Sequence, residues 1–221
     1  MTRYLDKDLK GYMEDDYILD ILNESPDCDN FASQRWLKEM PAKRMIYSDL
    51  YGKLLNSKGK RILDVGGDFS SLSKILLKNH EYELIDIMVH GGKEDIKEYE
   101  KKYGTFWVGT DWYSFNVEKK YDVIICNDLF PNADQRVEFF IEKFKPYCEK
   151  LILTLTAYDT DRFYVVNRVD AEEQLTIKPW DSYQIDMILS RVVEEYNPIG
   201  EIIKLKDSLY SNSRKVYKLI L

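Results

Sequence analysis

Histidine and cysteine are scarce in this chain. Its 221 residues hold two histidines, His80 and His90, and three cysteines, Cys28, Cys126 and Cys148. No Cys/His set has zinc spacing and no carboxylates cluster along the chain, so no metal site is expected. Three thiols without a Cys-x-x-Cys pair read as reduced, buried groups in a cytoplasmic protein. No apolar run approaches the length of a membrane span, and the start, Met1-Thr2-Arg3-Tyr4-Leu5-Asp6, lacks the apolar core of a signal peptide. No membrane partner is expected. Positive charge is also in deficit: 32 Lys and Arg face 39 Asp and Glu, for a net charge of −7. That balance argues against a broad nucleic-acid-binding surface. Nucleophile motifs such as Gly-x-Ser-x-Gly are missing. So are the P-loop and the dinucleotide fingerprint Gly-x-Gly-x-x-Gly, which, laid on Gly66, would need glycine at Asp68 and Ser71.

What the chain does have is an ordinary globular balance, 44% hydrophobic and 32% charged, and enough length for one domain with a substantial core plus small additions. Its organising stretch is Arg61-Ile62-Leu63-Asp64-Val65-Gly66-Gly67-Asp68-Phe69-Ser70-Ser71-Leu72. The apolar run at Ile62, Leu63 and Val65 reads as a short buried strand that ends in two glycines. Leu72, Ile75 and Leu76 then recur at helical spacing, so strand passes to helix across a tight loop. Glycines there let backbone approach a ligand closely, and the free N–H groups of the helix's first turn would face it. The spacing predicts a nucleotide-type cofactor loop.

Alternating elements follow: strand 61–65, helix 70–78, strand 82–87, helix 93–102, a strand near 105–109 and another over 121–126. A helix places Val137, Phe140, Ile141 and Phe144 on one face, and a fifth strand covers 151–155. Continuous apolar strands between amphipathic helices mean a parallel sheet covered on both faces. Residues 157–180 read as an irregular polar insertion. Asp181 looks like an N-cap with Gln184 at the capping-box position, and Ile185, Ile188, Leu189 and Val192 turn inward. Strands at 201–205 and 215–220 close the chain, joined by a link too short for a crossover, so they should pair antiparallel. Ahead of the sheet, residues 1–57 read as a helical segment, with apolar positions at Tyr17, Ile18, Ile21 and Leu22 and again from Trp36 to Leu55, interrupted at Pro41.

An acid two residues before the first glycine (Asp64-Val65-Gly66), with a second acid, Asp86, ending the next strand, resembles the class I S-adenosylmethionine-dependent methyltransferases. Their first motif runs acid-x-Gly-x-Gly-x-Gly. Asp64 and Gly66 match it, Gly67 fills a variable slot, and Asp68 and Ser70 stand at the later glycine positions. A parallel sheet ending in an antiparallel hairpin is also that family's topology. The resemblance implies an α/β fold, a doubly wound and mostly parallel seven-stranded sheet with a C-terminal antiparallel hairpin and an N-terminal helical lid. It divides the chain into a lid at 1–57 and a methyltransferase domain at 58–221, with the insertion at about 157–180. In such a family the N-terminal segment often lids the cofactor, and Arg35, Trp36 and Tyr47 either serve there or simply pack.

For the site, ligands of open α/β sheets bind beyond the carboxyl ends of the strands. With S-adenosylmethionine as the implied cofactor, Asp86 would take the ribose hydroxyls and Asp64 would orient the methionyl amino group, directly or through water. Asp111 would meet the adenine amino group, and Trp112 either stacks on the ring or packs in the core. Gly66 and Gly67 form the loop, and Asn127 lies beside the sulfonium. Asp128 is the candidate general base, or else a tether for its loop; His80 falls at the wrong end of its strand and His90 nearer the ribose. Tyr158, Arg162 and Arg168 are candidates for the acceptor. The two arginines, with Lys178, would hold an anionic group or else form surface ion pairs. The Asn-Pro-Pro-Tyr type motif of amino-methylating DNA enzymes is absent. The implied reaction is methyl transfer, most simply to oxygen, on a small-molecule or carbohydrate acceptor, as in the tailoring of surface polysaccharides. Two other readings stay open: a non-catalytic binding protein that kept the fold, and an NAD(P)-dependent oxidoreductase.

Overall fold

The computed structural model describes residues 1–88, 90–158, 162–167, 174–197, 208–210 and 214–221. Strand β1 is Thr2–Arg3; helices α1 (Asp6–Tyr12), α2 (Tyr17–Asn23), α3 (Ala32–Glu39) and α4 (Pro41–Leu55) follow. Pro41 opens α4 at a first-turn position, where its missing N–H costs nothing. The apolar pattern there is interrupted because one helix ends and another begins. The alternating part is β2 (Arg61–Val65), α5 (Ser71–Asn79), β3 (Glu81–Ile85), α6 (Lys93–Tyr103), β4 (Trp107–Val108), β5 (Tyr121–Phe130), α7 (Val137–Phe144) and β6 (Cys148–Ala157). Then come β7 (Tyr164–Asn167), β8 (Gln174–Ile177), α8 (Ser182–Val192) and β9 (Lys215–Ile220).

Among the described residues, seven strands form one sheet in the order β1-β9-β6-β5-β2-β3-β4. The block from β6 to β4 is parallel, while β9 runs antiparallel to both β6 and β1. Side chains alternate across it with period two. Ile62, Leu84, Ile125 and Ile152 pack against the N-terminal helices and α5, whereas Leu63, Ile85, Ile124 and Leu153 pack against α7 and α8. Both faces are therefore covered, as the apolar strands require.

Two expectations need correction. The stretch 157–180 is not wholly irregular: β7 and β8 pair antiparallel as a separate two-stranded sheet. The fourth predicted strand does not stop at residue 126 but runs to Phe130, past a register shift between Cys126 and Phe130. The last strand, β9, pairs antiparallel with β6 and also with β1, a two-residue strand too short to leave a sequence signature. The strand expected at 201–205 lies outside the described residues. At α8 the capping box forms as read, with Asp181 accepting from the Gln184 N–H at 2.7 Å and Gln184 accepting from the Asp181 N–H at 3.0 Å.

Candidate active site

A cavity of about 270 Å³ opens beyond the carboxyl ends of β2, β3 and β5, under the N-terminal helices. Gly66 and Gly67 follow β2, Asp86 follows β3, Asp111 and Trp112 follow β4, and Asn127 and Asp128 lie in β5; all seven line it. The fold thus gathers onto one cavity residues as far apart in the chain as Ser33 and Asp134.

The backbone at these strand ends is unusual. Asp68, Met88 and Asp128 have φ of 52°, 50° and 62°, in the left-handed region that side chains other than glycine avoid. Asp68 stands where the acid-x-Gly-x-Gly-x-Gly motif has its middle glycine, and it takes the conformation a glycine would. Asp is among the residues that tolerate that region best. Ser70 stands at the third glycine position and works as the N-cap of α5: its Oγ accepts from the Leu72 N–H at 3.3 Å. Gly67 is needed for a different reason. A Cβ there would lie 2.4 Å from Oδ1 of Asp64.

That contact shows where Asp64 is. It does not line the cavity but lies beneath the loop, 2% exposed, with its two oxygens accepting from the hydroxyls of Tyr51 at 3.1 Å and Tyr82 at 3.0 Å. From that position Asp64 props the loop, and of the two expected modes, direct or through water, the cavity lining leaves it out of direct reach. Burial pushes its carboxyl up to about 7, against the opposing pull of the two tyrosine hydroxyls.

Asp86 is oriented for a ligand. Its Oδ2 accepts from the Asp68 N–H at 2.9 Å and its Oδ1 from the Met88 N–H at 2.7 Å. Both bonds come from the backbone, and Asp86 is among the residues that line the cavity. Asp68 is pushed up to about 6 by burial and by the neighbouring Asp86 charge. Its side chain accepts from the Ser33 N–H in the first turn of α3 at 2.9 Å, while the Ser33 Oγ donates to the Phe69 carbonyl at 2.8 Å. Helix α3 is stitched to the glycine loop through these bonds.

The same helix overturns one expectation. The first-turn N–H groups of α5 do not face the cavity as free donors: Gln34 takes the Ser71 N–H at 3.0 Å and Ser70 takes that of Leu72. Gln34 is fully buried and belongs to α3, distant in sequence, so nothing local signalled that it would close this helix terminus.

The register shift in β5 turns Asn127 and Asp128 into the cavity, as bulges do. Asn127 accepts from the Thr154 hydroxyl at 2.6 Å, and Thr154 in turn accepts from the Asp128 N–H at 2.8 Å. The Asp128 carboxylate pairs with Lys43 at 3.1 Å and with Arg214, and accepts from Asn132 at 2.6 Å. Burial alone would raise its pKa, but the two cations outweigh it and hold the group at about 2. A carboxylate so held is a poor proton acceptor at neutral pH. The structure therefore favours tethering over general-base work at Asp128.

Trp112 both lines the cavity and packs edge-on against Phe130 and Phe140, with its indole N–H donated to Asp134 at 2.9 Å. Asp111 is exposed and spends its oxygens on the N–H groups of Tyr113 and Ser114 and on the Ser114 hydroxyl. Tyr158 and Arg162 do not line the cavity, Arg162 is exposed, and Arg168 lies outside the described residues. His80 accepts from the Lys60 N–H through Nδ1 and donates to the Leu54 carbonyl, a packing role at the far end of β3. His90 does line the cavity, edge-on to Trp36 with ring centroids 4.9 Å apart. Lys43, Ser33, Met88 and Arg214 carried no motif, and only the folded chain brings them to this end of the sheet.

No family model and no curated protein sequence matches the chain. Solved structures do. Magnesium protoporphyrin IX methyltransferase (ChlM) from Synechocystis PCC 6803, with bound S-adenosylhomocysteine, superposes with a TM-score of 0.51 at 14% identity, covering 85% of each chain. The same enzyme with bound S-adenosylmethionine gives 0.50 at 14% identity, covering 86% of this chain and 83% of that one. This is the Rossmann-like methyltransferase fold. A coclaurine N-methyltransferase with bound N-methylheliamine and S-adenosylhomocysteine scores 0.47 at 17% identity, and this chain spans only 49% of its length. Within a methyltransferase fold, the arrangement suits a ligand with vicinal hydroxyls and a flat ring. Asp86 supplies a polar group to the lining, Gly66 and Gly67 present bare backbone, and Ile85, Ile87, Met88 and Trp112 supply apolar wall.

Proposed function

We propose that the chain is an S-adenosylmethionine-dependent methyltransferase that methylates an oxygen of a small-molecule or sugar-type acceptor. The observation that carries this reading is Asp86, aimed by two backbone N–H groups into a glycine-floored cavity at the strand ends of a methyltransferase fold. S-Adenosylmethionine, when bound, supplies a methyl group already activated on a sulfonium. The protein's part is then to hold and align the acceptor. Asp86 would hold the ribose, Gly66 and Gly67 would lie against the methionyl part, and Asp111 and Trp112 would flank the adenine. The N-terminal helices, tied to the loop by Ser33, would act as a lid over the bound cofactor. Methylated small molecules are also what the N-methyltransferase structure's bound N-methylheliamine exemplifies.

Calorimetric titration with S-adenosylmethionine and S-adenosylhomocysteine, with Asp86→Ala as control, tests the proposal. Micromolar binding that disappears in the variant is the expected result; silence from the wild-type protein refutes it. One observation favours a second reading, a non-catalytic binding protein: Asp128, the candidate general base at the end of β5, is held in ion pairs with Lys43 and Arg214. Methyl transfer to any member of an acceptor panel excludes that reading.

A further inference from the structure

Asp68 fills a glycine position of the acid-x-Gly-x-Gly-x-Gly motif. With φ of 52° it takes the conformation a glycine would, so the loop keeps its path and gains a carboxylate. That residue lines the cavity, directly after Gly66 and Gly67 and beside Asp86, whose Oδ2 accepts from the Asp68 N–H at 2.9 Å. Its hydrogen-bond partners are neutral groups of Ser33 and Phe69, with the Ser33 N–H at 2.9 Å. Among the described residues no Lys, Arg or His pairs with it.

The other acids near the cavity are differently placed. Asp128 is paired with Lys43 and Arg214, and Asp134 with Arg136. Asp111 is exposed beyond β4 and spends its oxygens on Tyr113 and Ser114. Asp64 is left out of the lining altogether. Asp68 is thus a half-buried carboxylate on the cavity wall, with a second carboxylate at its side and no paired cation among the described residues. Burial and the Asp86 charge make its ionised form costly, and a positive group that enters the cavity offsets that cost. An ammonium also brings N–H donors, so the contact becomes a charge-assisted hydrogen bond.

We infer that Asp68 binds the ammonium group of the cofactor's methionyl arm, the direct contact that the position of Asp64 does not allow. The inference rests on the methyltransferase reading above and assigns a further group of that ligand to this chain's own residues. The arm would leave the ribose at Asp86 and cross the floor made by Gly66 and Gly67. Asp68 is joined to both, by the chain to Gly67 and by its N–H to Asp86. The same carboxylate accepts from the first turn of α3, so the ammonium and the N-terminal helix meet on one side chain. A glycine at this position would provide neither bond. Specificity follows: a ligand with the adenosine part alone lacks the group that Asp68 recognises.

The test is calorimetric titration of the full chain with S-adenosylhomocysteine, with its deamino analogue, in which hydrogen replaces the amino group, and with methylthioadenosine, which has no amino-acid arm. Wild-type protein should bind S-adenosylhomocysteine about tenfold more tightly than the deamino analogue. Asp68→Asn is nearly isosteric, and Asp68→Gly installs a residue at ease with φ of 52°. Each should weaken S-adenosylhomocysteine about tenfold and leave the other two ligands within about twofold of wild type. A carboxylate that only tied the loop to α3 would weaken all the ligands alike when removed. Equal losses for every ligand, no loss in either variant, or a wild-type protein indifferent to the amino group therefore overturns the inference and leaves the methyltransferase reading in place. If one variant does not fold, the other variant and the wild-type ligand ratio answer the same question. Wild-type protein that binds none of the ligands refutes the methyltransferase reading, and the inference falls with it.

Discussion

Replacing Asp64 by Asn gives the sharpest test of how the loop is held. Asp64 is buried beneath Gly67, and its carboxyl is raised from an ordinary 3.8 to about 7, chiefly by burial. A raised native pKa means that the folded state binds more protons than the unfolded chain between these two values. Stability therefore falls as pH rises across that window and stays low above it. Each pKa unit corresponds to about 1.4 kcal/mol, so the two or so units between about pH 5 and about pH 7 amount to roughly 3 kcal/mol. Asp64→Asn is nearly isosteric and carries no charge. Its amide oxygen can accept from one tyrosine hydroxyl and its NH₂ can donate to the other, at a cost of about 1 kcal/mol. Urea unfolding followed by tryptophan fluorescence, run from about pH 5 to about pH 8.5, gives the stability of both proteins. The wild type should be the more stable at the acid end, and the difference should swing by about 3 kcal/mol toward the variant at the alkaline end. Asp68 acts with the same sign but is present in both chains, so it cancels in the comparison. A difference that stays flat to within about 0.5 kcal/mol over the range refutes the account of Asp64 as a buried, strained carboxyl.

Gly67→Ala should destabilise the protein by about 1–3 kcal/mol in the same urea assay, because the new Cβ meets the pinned Asp64 carboxylate, and a combined Asp64→Ala change should recover part of that loss. Ser70→Ala removes the cap of α5 and should cost about 1 kcal/mol, with no change expected in the α8 cap. Arg44→Ala leaves the half-buried Asp16 without its cation and frees the Leu37 and Lys38 carbonyls where α3 meets α4. A loss of about 3–5 kcal/mol is expected, and a loss below about 1 kcal/mol would mean that the ion pair is not what joins the lid helices.

The outcome for the glycine loop shows how far local sequence reaches. Asp68 and Ser70 stand where the motif has glycines, and both departures have local explanations that only coordinates display. One residue adopts the glycine conformation, and the other spends its hydroxyl on the following helix. The closing of α5 by Gln34 and the ion pairing of Asp128 were not legible at all. Each depends on a partner more than 30 positions away. The hairpin β7–β8 was read as irregular because its strands are only four residues each, near the shortest run in which alternation can be recognised.

By itself the sequence determined the alternating core of this protein. Runs such as Ile62-Leu63 and Val123-Ile124-Ile125, apolar on both sides, can be satisfied only inside a sheet covered on two faces, and the strand ends then supply the site. It also determined which acids would stand at those ends. What each acid does was decided by tertiary structure. A carboxyl's proton affinity and hydrogen-bond partners depend on the groups within a few ångströms of it, and those come from distant parts of the chain. So Asp86 faces the cavity, Asp64 props the loop from beneath, and Asp128 gathers Lys43 from the lid and Arg214 from beside the last strand.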